Sequence, residues 1–423
     1  MRWASSCIEG GVMRTPTLAI IGGGAGGMAA ALAASGQGVD IVLCESQARL
    51  GRKLLATGNG RCNLSHQGFS DANYHGTHPH FVHAALARHD EADTIAFFES
   101  LGLAVTTDER QRYYPATLQA AAVLDVLRLA LEEAGVRICT ETRITGLSQA
   151  KNGHFILRHK GGSLHADAVI VATGGEAAPK LGGTRDGYAL LKSLGHTLIP
   201  TAPGIVQLQA AIGPLKAANG LKREMGLSLY AGGRLLAQDQ GEILITAYGL
   251  SGPPVLQCAG HAVRALAKGL DVEARLSLFP GETAASLEER LLARHAALPQ
   301  RGAAAFFVGL LPRLFAQCAL RAVHLKAGDR LKRADLNALA ALLTAWPIAV
   351  TGTRGFSEAQ VTIGGIDTAD FDSESLQSWI VPGLFACGEV LDIDGDCGGY
   401  NLQWAWSSGR TAAEYAVQYL TNR

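Results

Sequence analysis

The chain has 423 residues, of which 48% are apolar and 17% are charged. This composition is typical of a globular protein of two or three domains and excludes a disordered chain. Its 37 lysines and arginines equal its 37 aspartates and glutamates, so no net charge attracts the whole chain to nucleic acid or to anionic lipid.

The eight cysteines are scattered and include no C-x-x-C pair. Their spacing indicates neither a disulfide framework nor a zinc site, and a reducing cytoplasm is the expected location. Five histidines lie between His75 and His89, but no carboxylate or cysteine completes a set of metal ligands there. We interpret that stretch as solvated surface, the alternative being a metal site, and we predict no metal.

The N-terminal region contains a long uncharged run, Thr15 to Val39, of the length that can cross a membrane. Seven of its residues are glycines, which favours a turn over a membrane span. Met13 followed by Arg14 would be a natural start, so residues 1–12 are interpreted as an extension that is disordered or is not part of the native protein.

The first motif is a strand that ends in a glycine-rich turn. Residues 17–21 are apolar, and a G-x-G-x-x-G sequence formed by Gly22, Gly24 and Gly27 precedes a helix predicted over about 25–36. Such a turn lets a pyrophosphate approach the N–H groups at the start of a helix. A second strand ends at Glu45, about 20 residues later, where a ribose hydroxyl needs an acceptor. The motif predicts a dinucleotide site.

Two further segments of the first half carry features of a ligand site. Residues 51–65 are rich in glycine and polar side chains and lack periodicity, which predicts a functional loop. A buried strand over 168–175 ends in Thr173 and Gly174, which are small enough to lie beneath a bound dinucleotide. Between them, residues 144–159 predict a β-meander whose turn is at Asn152-Gly153.

The middle of the chain has a different pattern. Short alternating strands are predicted over 198–282, and an Ala/Leu-rich segment over 283–343 is predicted to be helical. From residue 351 the glycine-rich pattern returns, with a small-residue strand that ends at Gly388-Glu389. Gly398 and Gly399 then precede a helix predicted over about 401–420.

Two glycine-rich helix starts predict FAD as the cofactor. The pyrophosphate would lie at the helix after Gly27, and the N1–C2=O edge of the flavin at the helix after Gly399. Because a helix N-terminus carries about half a positive charge, it would stabilise the reduced flavin anion and favour hydride acceptance. Glu389 and Asp394 are placed to bind the hydroxyls between these two ends.

The chain as a whole resembles the HI0933-type (BaiN/YhiN-like) family of bacterial NAD(P)/FAD-dependent flavoproteins. The motifs that carry the resemblance are Gly51-Arg-Lys53, Thr57–Asn63, Arg112–Pro115, Gly249–Pro253, Val361–Gly365 and Pro382–Asn401. The resemblance implies an α/β fold, in which a Rossmann-like FAD-binding domain over 1–197 and 351–423 is interrupted by a β-barrel-like plus helical insert over 198–350.

The resemblance also implies which residues hold the cofactor. These residues are Gly22, Gly24, Ala25, Gly26, Gly27 and Glu45 for the pyrophosphate and ribose, Ile144 for the adenine, Lys53, Asn59, Gly60, Arg61, Cys62 and Asn63 beside the flavin, and Gly388, Glu389, Asp394, Asn401 and Leu402 at the isoalloxazine and ribityl end. One departure is that a histidine common in the family is Ala247 here. No acid–base role of that histidine transfers to this chain.

We therefore predict an oxidoreductase that transfers hydride through flavin N5, from NADH or NADPH to an activated C=C or C=O of a small or steroid-like molecule. A tyrosine hydroxyl can serve as general acid, which makes Tyr113, Tyr248 and Tyr400 candidate proton donors. Cys62 and Cys397 are interpreted as packing residues, the alternative being a redox role.

Two other functions stay open. One is a flavin-dependent RNA-modifying or RNA-binding protein, against which the zero net charge argues. It would use a local patch of cations in the insert, namely Lys216, Lys222, Arg223, Lys326, Arg330, Lys332 and Arg333. The other is a flavin-binding protein without a catalytic role.

Overall fold

The computed structural model describes residues 14–422, so the extension predicted at 1–12 lies outside the described residues. The chain forms two compact units. The first contains the residues through Gly175, Thr184–Ile199 and the residues from Gly364 onwards, and the second contains Glu176–Gly183 and Pro200–Ile363. The domain boundaries at 197/198 and 350/351 stay a prediction; residues 176–183 and 351–363 lie in the second unit.

The elements are numbered along the chain. The strands are β1 Thr17–Ile21, β2 Asp40–Cys44, β3 Ser65–His66, β4 Tyr74–His75, β5 Val105–Thr107, β6 Arg112–Pro115, β7 Arg137–Cys139, β8 Ile144–Gln149, β9 Phe155–His159, β10 Gly162–Ala166, β11 Ala168–Val171, β12 Leu198–Gly204, β13 Leu208–Ala211, β14 Lys222–Ala231, β15 Arg234–Thr246, β16 Gly249–Ser251, β17 Val272–Ser277, β18 Trp346–Thr353, β19 Val361–Ile366, β20 Leu384–Ala386 and β21 Asp394–Gly395. The helices are α1 Ala25–Ala34, α2 His83–Arg88, α3 Glu91–Ser100, α4 Ala120–Glu133, α5 Asp186–Ser193, α6 Pro253–Ala267, α7 Ala284–Ala297, α8 Ala303–Phe306, α9 Arg313–Ala322, α10 Arg333–Thr344 and α11 Tyr400–Thr421. Across residues 14–422, no helix is both long enough and apolar enough to cross a bilayer.

The first unit is built on a five-stranded parallel sheet in the order β20-β11-β1-β2-β7. Its central strands are apolar throughout; residues 168–171 of β11, for example, are all buried. Continuous apolar strands are expected where helices cover both faces of a parallel sheet. In such sheets ligands bind at the carboxyl ends of the strands, and here Gly22 follows β1 at that edge.

The helix at the end of the chain packs directly on the first helix. A Cβ added at Gly409 in α11 would overlap the carbonyl oxygen of Gly26 in α1. In the other direction, a Cβ at Gly26 would lie 3.3 Å from the carbonyl oxygen of Ala405. The two backbones therefore touch without intervening side chains, which fixes the two helices relative to each other.

Three smaller sheets complete the first unit. The predicted meander is confirmed as the antiparallel sheet β8-β9-β10. The short strands β3, β5 and β6 form a second sheet, and β4 pairs with β21 from the far end of the chain. These short pairings position the loops of the candidate site described below.

The second unit contains a closed six-stranded barrel in the order β13-β16-β15-β14-β17-β18. Alternate residues of β14, such as Leu227 and Leu229, are buried, as expected for a strand with one face in a core. Helices α6 to α10 belong to the same unit and share its apolar core. The predicted β-barrel-like plus helical insert is confirmed.

The contact between α1 and α11 makes a prediction about stability. In Gly409→Ala the alanine favours the helix by about 1 kcal/mol, but overpacking against a backbone carbonyl costs about 1–3 kcal/mol. We expect the overlap to dominate, so urea denaturation should show a lower free energy of unfolding. Gly260→Ala in α6 is the matched helical control, because a Cβ there meets only the end of the flexible Arg264 side chain and, at 4.0 Å, Ile363 Cδ1. An unchanged or increased stability of Gly409→Ala would contradict the contact.

Candidate cofactor-binding site

The glycines of the first turn have different contacts. A Cβ at Gly22 would overlap the carbonyl of Ala172 after β11, and one at Gly27 would overlap the carbonyl of Gly22. These two glycines therefore allow close packing between helix and sheet. Gly24 is the N-cap of α1, and a Cβ there meets nothing within 4 Å. Since the first amides of a helix lack partners within it, the space beside Gly24 suits an anion.

Glu45 is held at the end of β2 by hydrogen bonds to both of its carboxylate oxygens. Oε2 accepts from the backbone N–H of Gly23 at 2.8 Å, and Oε1 accepts from that of Gln47 at 2.7 Å. The backbone oxygen of Glu45 accepts from the N–H of Thr142, two residues before Ile144 in β8. The structure thus brings the predicted ribose residue close to the predicted adenine residue.

The end of β11 lies beside the same turn. A Cβ at Gly22 would lie 2.9 Å from the Cα of Thr173. The side chain of Thr173 packs against Gly187, where an added Cβ would overlap Thr173 Oγ1. A Cβ at Gly174 would meet nothing within 4 Å. The structure therefore brings Thr173 and Gly174, both predicted to contact the dinucleotide, beside the Gly22 turn.

Lys53 and Glu389, which are 336 residues apart in the sequence, form an ion pair with 2.7 Å between Nζ and Oε2. Gly388, next to Glu389, is held by α11: its N–H donates to Ser408 Oγ at 2.9 Å, and its carbonyl accepts from the indole N–H of Trp404 at 3.2 Å. A Cβ at Gly388 would meet nothing within 4 Å, so the backbone of this turn is open on one side.

The loop from Thr57 to Asn63 has an unusual backbone. Gly58, Asn59 and Gly60 have φ angles of 56°, 56° and 82°, and Cys62 has a φ of 58°. Left-handed conformations of non-glycine residues cost energy and concentrate at functional sites. Asn59 and Gly60 are exposed, whereas Cys62 is fully buried and burial raises the pKa of its thiol to about 12.

Asn63 and Gly399, both predicted to lie beside the flavin, are in contact in the structure. Gly399 has a φ of 109°, and a Cβ there would lie 2.7 Å from Asn63 Oδ1 and 2.7 Å from the carbonyl of Ser65. Asn63 is only 8% exposed, and its Oδ1 has no hydrogen-bond partner in the described chain. A buried oxygen without a partner is costly, and a donor on a bound ring would satisfy it. Gly398 precedes Gly399 at the start of α11.

The loop before α11 is fixed by its own hydrogen bonds. Asn401 Oδ1 accepts from the N–H of Gly395 at 2.9 Å, and its Nδ2 donates to the carbonyl of Gly395 at 2.7 Å. Asp394 is buried in β21, which pairs with His75 and Tyr74 of β4. Leu402 packs against the core of this unit. The structure therefore brings Asp394, Asn401 and Leu402 to the start of α11.

The histidines of the region from His75 to His89 pair with carboxylates. His75 Nε2 lies 2.9 Å from Asp396 Oδ1, and His83 Nδ1 lies 3.2 Å from Asp71 Oδ2. Among residues 14–422 no group of three or more potential ligands could hold a metal ion. His75 instead attaches the short strand β4 to the loop that leads into α11.

The three candidate proton donors lie in different places. Tyr113 is in β6, and burial together with Glu91 raises the pKa of its hydroxyl. Burial and Asp396 likewise raise the pKa of Tyr400, at the start of α11. Tyr248 belongs to the second unit, next to Ala247, with the Arg354 guanidinium 4.5 Å from its ring centre. A raised pKa makes Tyr113 and Tyr400 weaker acids at neutral pH.

The sequence does not reveal several residues that shape this site. His66 stacks on Tyr400 with 4.9 Å between ring centres. Gln403 is fully buried, accepts from Ser65 Oγ at 2.6 Å and donates to Thr94 Oγ1 at 2.8 Å. One sequence signal could have identified Gln403: it is a polar residue in the first turn of the helix that follows Gly399.

Together these features fit FAD and define a flavoprotein site. An open helix start at Gly24 and the acceptor Glu45 suit the pyrophosphate and ribose, and a second open turn at Gly388 suits the ribityl chain. At the other end, the unpaired Asn63 Oδ1 and the N-terminus of α11 offer an acceptor and donors to a ring that carries both N–H and C=O groups. All these residues belong to the first unit.

Comparison with known proteins agrees with this class. The family model described as the HI0933-like protein Rossmann domain matches residues 16–415. The 3-dehydro-bile acid delta(4,6)-reductase of Clostridium scindens is 37% identical over 407 residues, which cover 95% of this chain and 99% of the relative. The ribosomal RNA dihydrouridine synthase of Escherichia coli K12 is 31% identical over 414 residues, covering 93% of this chain and 96% of the relative.

The chain belongs to the HI0933-like family, as the motifs predicted, and it is an FAD-dependent oxidoreductase. Among solved structures, a 3-ketosteroid-delta4-(5alpha)-dehydrogenase from Rhodococcus jostii RHA1 matches with a TM-score of 0.46 and 16% identity, covering 96% of this chain and 98% of that one.

The contact between Gly399 and Asn63 predicts the effect of a single methyl group. Gly399→Ala adds backbone strain and a Cβ against Asn63 Oδ1, a cost of about 1–3 kcal/mol, and FAD should bind about tenfold or more weakly. The ratio of absorbance at about 450 nm to that at 280 nm in the purified protein measures this. Gly355→Ala controls for strain, because Gly355 has a φ of 77° with nothing within 4 Å. Equal flavin content in both variants would refute the assignment.

The burial of Cys62 predicts that its thiol is inert. Because the pKa values of Cys62 and Cys387 are about 12, iodoacetamide at pH 8 should leave both unmodified in the folded protein, while the half-buried Cys139 and Cys397 react. Peptide mass spectrometry before and after denaturation gives the comparison. If Cys62 is alkylated as fast as Cys397, the packing role assigned to it is wrong.

Proposed function

We propose that this flavoprotein reduces a C=C bond conjugated to a carbonyl in a small, steroid-like molecule, with NADH or NADPH as the reductant. Bound FAD would supply hydride acceptance and donation at N5. The observation that carries the proposal is the Asn63–Gly399 contact at the start of the 22-residue helix α11. There the positive end of a helix would favour a ring that gains negative charge when it is reduced, and the unpaired Asn63 Oδ1 could accept from a ring N–H.

The names of two relatives support this reaction type. One is named a delta(4,6)-reductase and the other a dihydrouridine synthase, and both names describe the reduction of a C=C bond. In this chemistry the hydride adds to the carbon remote from the carbonyl, and an acid protonates the carbon next to it. We propose Tyr113, Tyr248 and Tyr400 as the candidates for that acid.

The predicted cofactor contacts are part of this proposal. Lys53 and Glu389 neutralise each other at 2.7 Å, so their pair adds little net charge beside the flavin. Lys53 keeps two N–H donors for polar groups. Their long-range pairing would hold the flavin end of the site in one geometry.

The surface of the second unit favours a small molecule over RNA. Lys222 pairs with Glu242 at 3.0 Å, and Asp329 and Asp335 cap the backbone N–H groups of Lys326 and Lys332. Arg223 lies over the ring of Phe279 with 5.4 Å between its guanidinium carbon and the ring centre. The predicted cationic patch is therefore interleaved with acids and aromatic surface rather than continuous.

The test is reduction of the purified yellow protein under anaerobic conditions. NADH or NADPH should bleach the flavin faster than free FAD, and a 3-oxo-4-ene steroid should restore the absorbance near 450 nm while its double bond is lost. The other acceptors are simple enones, quinones and a ribosomal RNA fragment. Bleaching no faster than that of free FAD would indicate a non-catalytic flavoprotein, and reoxidation by RNA alone would favour the RNA-modifying alternative.

A further inference from the structure

Arg61 lies at the tip of the loop from Thr57 to Asn63 and is exposed. Its guanidinium carbon is 5.2 Å from the ring centre of Tyr114. Its one side-chain hydrogen bond runs from Nε to the carbonyl of Gly58 and is long, at 3.4 Å. Within residues 14–422 no carboxylate lies within ion-pair distance of Arg61, so its charge is not neutralised by a neighbouring acid.

A second guanidinium faces the same ring but is already neutralised. Arg112 lies 5.7 Å from the centre of Tyr114, and Asp108 Oδ2 accepts from both Nε and Nη2 of Arg112 at 2.9 and 2.6 Å. The neighbouring turn adds Glu109 and Arg110, whose charges offset each other. The uncompensated positive charge beside Tyr114 therefore belongs to Arg61.

The backbone around Arg61 places this charge near the flavin end of the site. Asn59 and Cys62, on either side of it, have φ angles of 56° and 58°, which the structure maintains at an energetic cost. Asn63, two residues on, is in contact with Gly399 at the start of α11. Tyr114 reaches the loop as well, since a Cβ at Gly58 would lie 3.6 Å from its ring.

Stacking on an aromatic ring leaves the N–H groups of a guanidinium free at its edge. That edge matches a carboxylate or a phosphate, which it binds with two parallel hydrogen bonds. The resemblance places Arg61 beside the flavin; we propose that there, supported by Tyr114, it binds a carboxylate or phosphate group of the molecule that reacts with the flavin, and not a group of FAD itself. The inference rests on the proposed function, which offers two sources of such a group: a carboxylate side chain on a steroid-like substrate, or the 2′-phosphate of NADPH.

The experiment measures binding to the oxidised holoenzyme by the change in the flavin absorption spectrum. Two pairs of probes differ in one anionic group: NADP⁺ against NAD⁺, and a 3-oxo-4-ene steroid with a carboxylate side chain against its methyl ester. The wild type should bind the anionic member of one pair about tenfold more tightly. Arg61→Gln should remove that preference, Arg61→Lys should keep part of it, and Arg301→Gln, at an exposed arginine of the second unit, should leave it intact.

The outcomes separate the sources of the anion and separate this inference from the proposed function. A preference for NADP⁺ assigns the 2′-phosphate to Arg61, and a preference for the steroid acid assigns its carboxylate. The proposal is overturned if the wild type discriminates in neither pair, if Arg61→Gln retains the preference, or if Arg61→Gln and Arg61→Lys both lose FAD, which would make Arg61 a cofactor ligand. Because binding rather than turnover is measured, failure of the reductase function would appear separately, as a reduced flavin that no enone reoxidises.

Discussion

The direct backbone contact between Gly26 in α1 and Gly409 in α11 is the constraint on which the candidate site depends. Helix α1 follows the Gly22–Gly24 turn, and α11 follows its N-cap residue Gly399, which lies beside Asn63. Because no side chain separates the two helices, the positions of their N-termini are fixed together. The distance between the two ends of the candidate site is therefore set by a close packing in which a Cβ at Gly409 would overlap the carbonyl oxygen of Gly26.

Charge in the site is largely compensated within the protein. Lys53 pairs with Glu389, and His75 lies against Asp396. What remains for a ligand is a set of dipoles and single acceptors: the amides at the start of α1, the N-terminus of α11 and the Oδ1 of Asn63. Such groups bind a ligand without a large cost of removing opposite charges from water. Arg61 is the exception, and its exposure keeps that cost low.

Much of the fold follows from local pattern, and much of the site does not. The strand before Gly22, the meander at Asn152-Gly153 and the barrel insert could be predicted because each depends on neighbours in sequence. The pairing of β4 with β21, the packing of Gly409 on Gly26 and the stack of Arg61 on Tyr114 join residues far apart in sequence, and no periodicity encodes such partners. The left-handed Cys62 was equally hidden, since its φ is imposed by tertiary structure rather than by residue type.

The location of Gly398 to Leu402 has a consequence for how the protein matures. During synthesis, the Gly22–Gly27 turn and the loop from Thr57 to Asn63 leave the ribosome long before α11 exists, so a nascent chain lacks the part of the site at Gly388 to Leu402. Contacts between such distant segments form late, because closing a long loop precedes any gain from them. Flavin loading should accordingly be post-translational and slow relative to folding of the barrel unit.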